Sequence, residues 1–184
     1  LEIRNITQYS KLYRSPTEET LLIKNKHSTV VVSTADEYQV VSFVNGVYTR
    51  LGGLHVDAWA EGIFRPLVEK FNARGKKKKS PKININDVKQ FFRLIIASNV
   101  VRPEFDGQDK NKLESPVVEA TVRKTHVNAL MKWSVAEKIE EIIRAKEMVA
   151  LKKIERKKKK VKIDGLDPAN NEGGKLSSQC SLFI

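Results

Sequence analysis

Three consecutive residues beside a glycine, Gln108-Asp109-Lys110 after Gly107, are the group in this chain best suited to meet a phosphate. A phosphate reader needs a compact, mobile cation on a rigidly placed turn, and lysine supplies that point charge. Gly107 lets the backbone turn sharply, and Gln108 adds an amide donor that reads an oxygen without changing the net charge. Asp109 works in the opposite sense, since a carboxylate beside a phosphate repels it. Either Asp109 points away from the anion or the turn binds it more weakly. Taken alone, the three residues fit a solvated surface turn better than a binding loop.

A second chemistry is written in charge. The chain of 184 residues carries a net charge of +12, and that charge is concentrated. Lys70, Arg74, Lys76, Lys77, Lys78, Lys79 and Lys82 fall between positions 70 and 82 with no acid among them. Lys152, Lys153, Arg156, Lys157 to Lys160 and Lys162 face only Glu155 in a second run. The rest of the chain is close to neutral, so positive charge is delivered at two addresses, as a polyanion-binding surface requires. Double-stranded DNA is the natural polyanion, and such runs bind it through counterion release with little sequence preference. In the first run Gly75 and Pro81 bracket a basic tip, with Arg74 and Lys76 to Lys79 as candidate DNA contacts. Lysine runs in loops are also often merely solvated. The second run equally suits the end of a helix, where the macrodipole favours cations without any partner.

The elements that must position these groups are legible from periodicity. Leu21–Lys24, His27–Ser33 and Gln39–Val44 read as short strands, and Phe91–Val101, an apolar run before Pro103, reads as a central one. Val117–Val122 reads as a further strand, and Asn86–Gln90 as a short turn. After the third strand, a loop closed by Gly52-Gly53 leads into His55-Val56-Asp57, with Asp57 as a helix cap. That helix, Asp57 to about Ala73, carries Trp59, Ile63, Leu67 and Phe71 at four-residue spacing with Phe64 and Val68 alongside, and Pro66 is expected to kink it. Ser134 and Glu137 form a capping-box pattern at the head of a long helix. Its apolar stripe is Val135, Ile139, Ile142, Ile143, Val149 and Ile154, with Glu140 and Arg144 one turn apart. Running to about Lys160, it forms a rod of roughly 40 Å.

Several function classes find no support. His27, His55, His126 and Cys180 are too scattered for metal-ligand spacing. No nucleophile elbow, G-x-G-x-x-G or paired catalytic carboxylates stand out. Gly173-Gly174-Lys175 lacks the context of a P-loop. His55 reads as a satisfied hydrogen-bonder, and Trp59 and Trp133 as core. No run approaches the roughly 18 apolar residues of a membrane helix, and the N-terminus lacks a signal-peptide stretch. One cysteine permits no internal disulfide and suits a reducing compartment. Lacking an initiating methionine, the chain reads as a piece of something longer. At 40% hydrophobic it has matter for one core.

Two segments about fifty residues apart, Val41–Trp59 with its GGLHV and Arg102–Leu113 with its Gln-Asp-Lys, together resemble the transducer region of type IIA DNA topoisomerases, on the eukaryotic and large-DNA-virus side. In that family a Gln-Thr-Lys loop reaches into the ATP site of the preceding domain. The resemblance implies that Lys110 contacts the terminal phosphate with Gln108 in support, Asp109 being the departure from the pattern. It implies that Lys76 to Lys79 form a lysine-rich loop facing the DNA cavity. Gly165 to Asn171, with Leu166, Asp167 and Ala169-Asn170 in register, and then Cys180 to Ile184 are similar to the segment entering the metal-binding cleavage (TOPRIM) domain, whose Glu-Gly-Asp ligands would follow Ile184.

The implied fold is α+β, a mixed β-sheet packed by helices with a left-handed βαβ crossover and a long C-terminal helix. Residues 1–163 would be the transducer and 164–184 the start of TOPRIM. The implied activity is ATP-dependent passage of one duplex through a double-strand break by a homodimer. ATP and Mg2+ would be held mainly outside this chain, which alone would be inactive. The implied location is intracellular, in a nucleus or a viral factory. Two alternatives stay open: a non-enzymatic basic nucleic-acid-binding module, for which RNA recognition is little supported at 7% aromatic residues, and the transducer of another ATPase such as a mismatch-repair protein.

Overall fold

A computed structural model describes residues 3–74 and 81–158, together with Ser178, the last five residues of the final helix by backbone alone. Lys76 to Lys79 and the whole of 164–177 and 179–184, on which sequence expectations fall, lie outside the described residues.

The valine-rich runs form the strands expected of them. Strands β1 (Thr20–Lys24), β2 (Ser28–Thr34), β3 (Gln39–Val44), β4 (Val47–Tyr48) and β6 (Phe92–Ser98) make a five-stranded sheet in the order β1-β2-β6-β3-β4. β6 is central, as the apolar stretch Leu94 to Ala97 within it requires. β3 and β6 are parallel and the other neighbours antiparallel, so the sheet is mixed. A three-stranded sheet in the order β5-β8-β7 is built from β5 (Gly52–Gly53), β7 (Glu104–Phe105) and β8 (Lys112–Ser115).

The two-residue period of the strands divides the apolar side chains between two faces. Val30 pairs with Ile96 and Val32 with Leu94, and all four join the main core under helix α2 (Leu54–Arg74). Val31, Ile95 and Val41 point to the other face, where helix α1 (Ile6–Ser10) lays Ile6 and Tyr9 on them. On α2 the expected stripe of Trp59, Ile63, Phe64, Leu67 and Phe71 is buried. Pro66 sits inside a helix that continues through it. Gly62, one turn earlier, leaves room for Ala120: a Cβ there would lie 3.2 Å from that methyl.

Helix α3 (Ile85–Lys89) replaces the expected turn, and Asn84 caps it. The Asn84 side chain accepts from the Asp87 N–H at 3.0 Å, and Asp87 accepts from the Asn84 N–H at 2.8 Å. Asp87 also receives Lys146 from helix α5 (Val135–Lys158), tying α5 to α3. Burial raises the Asp87 carboxyl pKa, but the Lys146 and Asn84 bonds outweigh it and hold the group below its ordinary 3.8.

Four expectations are corrected. α2 begins at Leu54, so Asp57 lies in its first turn rather than at its cap, where its charge still complements the helix dipole. Val117–Val122 forms no strand: Val118 is buried and Ala120 and Val122 pack on the core, but the segment has no ladder partner. At the head of α5 the Ser134 N–H and hydroxyl both donate at 2.8 Å to Glu19, not to Glu137. The apolar stripe of α5 is buried or packed on the core from Val135 to Ile143, but Met148, Val149 and Leu151 are exposed. Helix α4 (Lys124–Leu130) precedes it and adds Val127 and Leu130 to the core. Among the described residues no helix is long and apolar enough to cross a membrane.

Candidate functional site

Gln108, Asp109 and Lys110 occupy the loop between β7 and β8, and all three are exposed. The base of the loop is closed by reciprocal bonds, Asp106 N–H to the Lys112 carbonyl and Lys112 N–H to Asp106 Oδ1, both at 3.1 Å. Inside it, Lys110 N–H donates to the Gly107 carbonyl at 3.1 Å. Lys110 has φ of 54°, a left-handed conformation that costs a lysine roughly 1–2 kcal/mol. That conformation is held by the bonds at the loop base. Among the described residues none of the three side chains makes a hydrogen bond or ion pair. Asp109 therefore leaves the Lys110 charge unpaired.

The two segments fifty residues apart in sequence meet here. Leu51 N–H donates to the Asn111 carbonyl at 2.9 Å, and Gly52 and Gly53 then pair in parallel with Lys112 and Leu113. The next residue, Leu54, starts α2. The lysine loop is thus hydrogen-bonded to the turn that launches α2, the helix that buries Trp59, Ile63, Phe64, Leu67 and Phe71 in the core.

His55 is fully buried at that junction, with Nε2 3.3 Å from Thr49 Oγ1. Burial pushes its pKa down to about 4, so the ring is neutral at physiological pH. The sequence reading of a satisfied hydrogen-bonder holds for one nitrogen only, since Nδ1 has no partner among the described residues. Sequence reasoning missed Ser42 and Thr49, which complete this cluster and carry no motif.

Arg74, the one DNA candidate among the described residues, lies far from the loop. Arg74 is the last residue of α2, and 21 residues put it about 30 Å along the helix axis from the Gly53 end. Its guanidinium lies 3.5 Å from Glu140 on α5, which also faces Arg144 at 3.9 Å, the pairing expected from the sequence. All three side chains are at least 40% exposed, so these contacts are worth well under about 1 kcal/mol and leave Arg74 available to a stronger anion. Among the described residues, Lys110 and Arg74 are not brought together; the lysine loop is bonded at the head of α2 and Arg74 ends it.

Lys110 presents an exposed, unpaired cation at the tip of the β7–β8 loop. For magnesium the described residues offer no group of three or more His, Cys, Asp or Glu side chains that could hold an ion.

The mixed α+β arrangement, sheets backed by helices, matches the fold of the topoisomerase II ATPase region. The ATPase region of Saccharomyces cerevisiae topoisomerase II superposes with a TM-score of 0.66 at 27% identity, over 78% of this chain and 38% of that structure. The chain belongs to the DNA gyrase B family, whose pattern it matches over residues 5–163. It is 31% identical to DNA topoisomerase 2 of Invertebrate iridescent virus 6 and 28% identical to that of S. cerevisiae, each over the whole of this chain. It spans only 17% and 14% of those two proteins. Neither the non-enzymatic module nor the mismatch-repair alternative finds support in these matches.

Proposed function

We propose that this chain is the transducer of an ATP-dependent type II DNA topoisomerase, with residues 1–163 forming that domain and 164–184 leading into TOPRIM. The parent enzyme would pass one duplex through a transient double-strand break in another, working as a homodimer wherever its DNA is kept, in a nucleus or a viral factory. ATP and Mg2+ would be held mainly by neighbouring domains. ATP supplies the phosphate whose presence the chain reads.

Within this chain, Lys110 contacts the terminal phosphate and Gln108 adds a neutral donor beside it. The loop is bonded to the Leu51–Gly53 segment, so a shift of Lys110 bears on the start of α2. A helix is stiff along its axis, so its far end at Arg74, which Lys76 to Lys79 follow in sequence, moves with it. Positive charge there meets DNA phosphates without reading sequence. α5 is coupled to the same end through Glu140 and to α3 through Lys146, which gives the motion a path toward the cleavage domain.

The observation that carries this reading is the Leu51–Asn111 bond and the ladder beside it, which join an unpaired lysine loop to a helix that ends at Arg74. The test is relaxation of supercoiled plasmid by the full-length protein with ATP, without ATP and with a non-hydrolysable analogue. Multiple-turnover relaxation restricted to ATP supports the proposal; relaxation that ignores ATP, or none at all, removes it.

A further inference from the structure

The junction beneath the lysine loop contains a polar cluster in a place where apolar residues would pack as well. Ser42 and Thr49 are each 1% exposed and His55 is fully buried. Burying hydroxyls and an imidazole costs free energy unless each bond is made, and here nearly all are. Thr49 N–H donates to the Ser42 carbonyl at 2.8 Å, and the Thr49 hydroxyl reaches the same carbonyl at 3.0 Å. Ser42 Oγ lies 3.0 Å from the Thr49 carbonyl and 2.6 Å from Thr49 Oγ1.

The partnerless nitrogen decides the imidazole. Nδ1 of the buried ring has no hydrogen-bond partner among the described residues, so a hydrogen there would be a buried donor left unmade, which costs more than a bare lone pair. With the hydrogen on Nε2 instead, the ring donates across the 3.3 Å contact to Thr49 Oγ1, and the Thr49 and Ser42 hydroxyls satisfy each other and the two carbonyls. The geometry thus favours the neutral Nε2–H tautomer. The Thr49 carbonyl also accepts Gly52 N–H at 3.1 Å, which closes the turn that presents Leu51 N–H to Asn111.

We infer that Thr49 and His55 are positioning residues for the Lys110 loop. Their bond fastens the first turn of α2 to the Thr49–Gly52 turn, and Leu51 holds Asn111, one residue from Lys110. The backbone ladder between Gly52-Gly53 and Lys112-Leu113 grips the loop on one side of the junction; the His55–Thr49 bond grips its support from inside the core. A phosphate that draws on Lys110 therefore pulls on α2 through a directional, dry contact. This inference rests on the nucleotide-reading assignment of Lys110.

The test is ATP turnover by the full-length protein in a double-mutant cycle. Thr49→Val keeps the shape and removes the hydroxyl with its contacts to Ser42 and His55, and loss of the His55 bond is expected to lower kcat about fivefold with little change in KM for ATP. Thr49→Ser is expected to restore kcat. In a Lys110→Ala background Thr49→Val should add nothing, because both act through the same lysine. A full additional loss in that background would make Thr49 merely structural and overturn the inference. Wild-type turnover by Thr49→Val while Lys110→Ala is impaired would also overturn it. Wild-type turnover by Lys110→Ala would remove the nucleotide-reading assignment and this inference with it. Should Thr49→Val fail to fold, His55→Gln and His55→Asn decide: Gln places an amide donor near the Nε2 position and should retain turnover, whereas Asn places it near Nδ1 and should not. Equal turnover by the two would overturn the inference.

Discussion

Gly53 and Leu113 face each other across a parallel ladder with no space between their backbones for a side chain. A Cβ on Gly53 would lie 2.5 Å from the Leu113 backbone nitrogen and closer still to its carbonyl oxygen. Gly53 also has φ of 121°, a conformation that L side chains rarely adopt. Gly53→Ala is therefore expected to cost at least about 2 kcal/mol and to open the β5–β8 pairing. Gly46 provides the control, having φ of 81° but nothing within 4 Å. Gly46→Ala should cost about 1 kcal/mol, the conformational part alone. Urea unfolding of the two variants separates strain from collision, and equal losses would mean that the close approach to Leu113 is not limiting.

Lys110 and Asp109 should act in opposite directions. Lys110→Ala in the full-length protein is expected to lower ATP turnover and strand passage together, by about tenfold for one charge-assisted bond to phosphate. Asp109→Asn removes a carboxylate beside the same phosphate and should lower KM for ATP. Initial-rate ATPase measurements check both. Unchanged ATPase in Lys110→Ala would leave the loop a solvated turn.

How far the sequence could be read depended on whether a residue's partner was local. The strands β2, β3 and β6 were legible because short apolar runs such as Val30 to Val32 and Leu94 to Ile96 fill both faces of a covered sheet. The segment from Val117 to Val122 alternates as a strand would, but it lies on α2 at Gly62 with no strand beside it. Ser134 looked like a capping box with Glu137, three residues on, whereas its carboxylate comes from Glu19, 115 residues away. The glycine pair and the lysine turn announced themselves through residue types that serve few other purposes. Ser42 and Thr49 did not, since only the β3–β4 hairpin sets these common residues opposite each other.

The basic run after α2 has a salt signature. If Lys76 to Lys79 touch phosphates, replacing all four by alanine should weaken binding to duplex DNA. The slope of log K against log salt should fall by about 0.9 for each phosphate that is no longer neutralised. Arg74→Ala should free at most one phosphate, because Glu140 already shares the Arg74 charge. Binding isotherms from about 50 to 200 mM salt, on unrelated DNA sequences, provide the measurement. An identical slope would make the run a solvated loop, and an effect confined to one sequence would contradict backbone recognition.

His55 should write its burial into the pH dependence of stability. Its pKa falls from 6.5 to about 4 in the folded protein because burial disfavours the imidazolium. In the unfolded chain the ring takes up a proton near pH 6.5, whereas the folded protein resists it until about pH 4. Between those values the unfolded state binds more protons, so stability rises with pH across the window and is fully present above it. The span corresponds to about 3 kcal/mol lost as pH falls from 6.5 to 4. His55→Gln has no group titrating there and should flatten that part of the curve while leaving the acid limb due to carboxylates such as Asp87. Urea unfolding at half-unit steps from pH 4 to 7 measures the difference between the two proteins. An undiminished slope in His55→Gln would mean that the ring finds an acceptor or solvent in the folded state, and that burial does not hold it neutral.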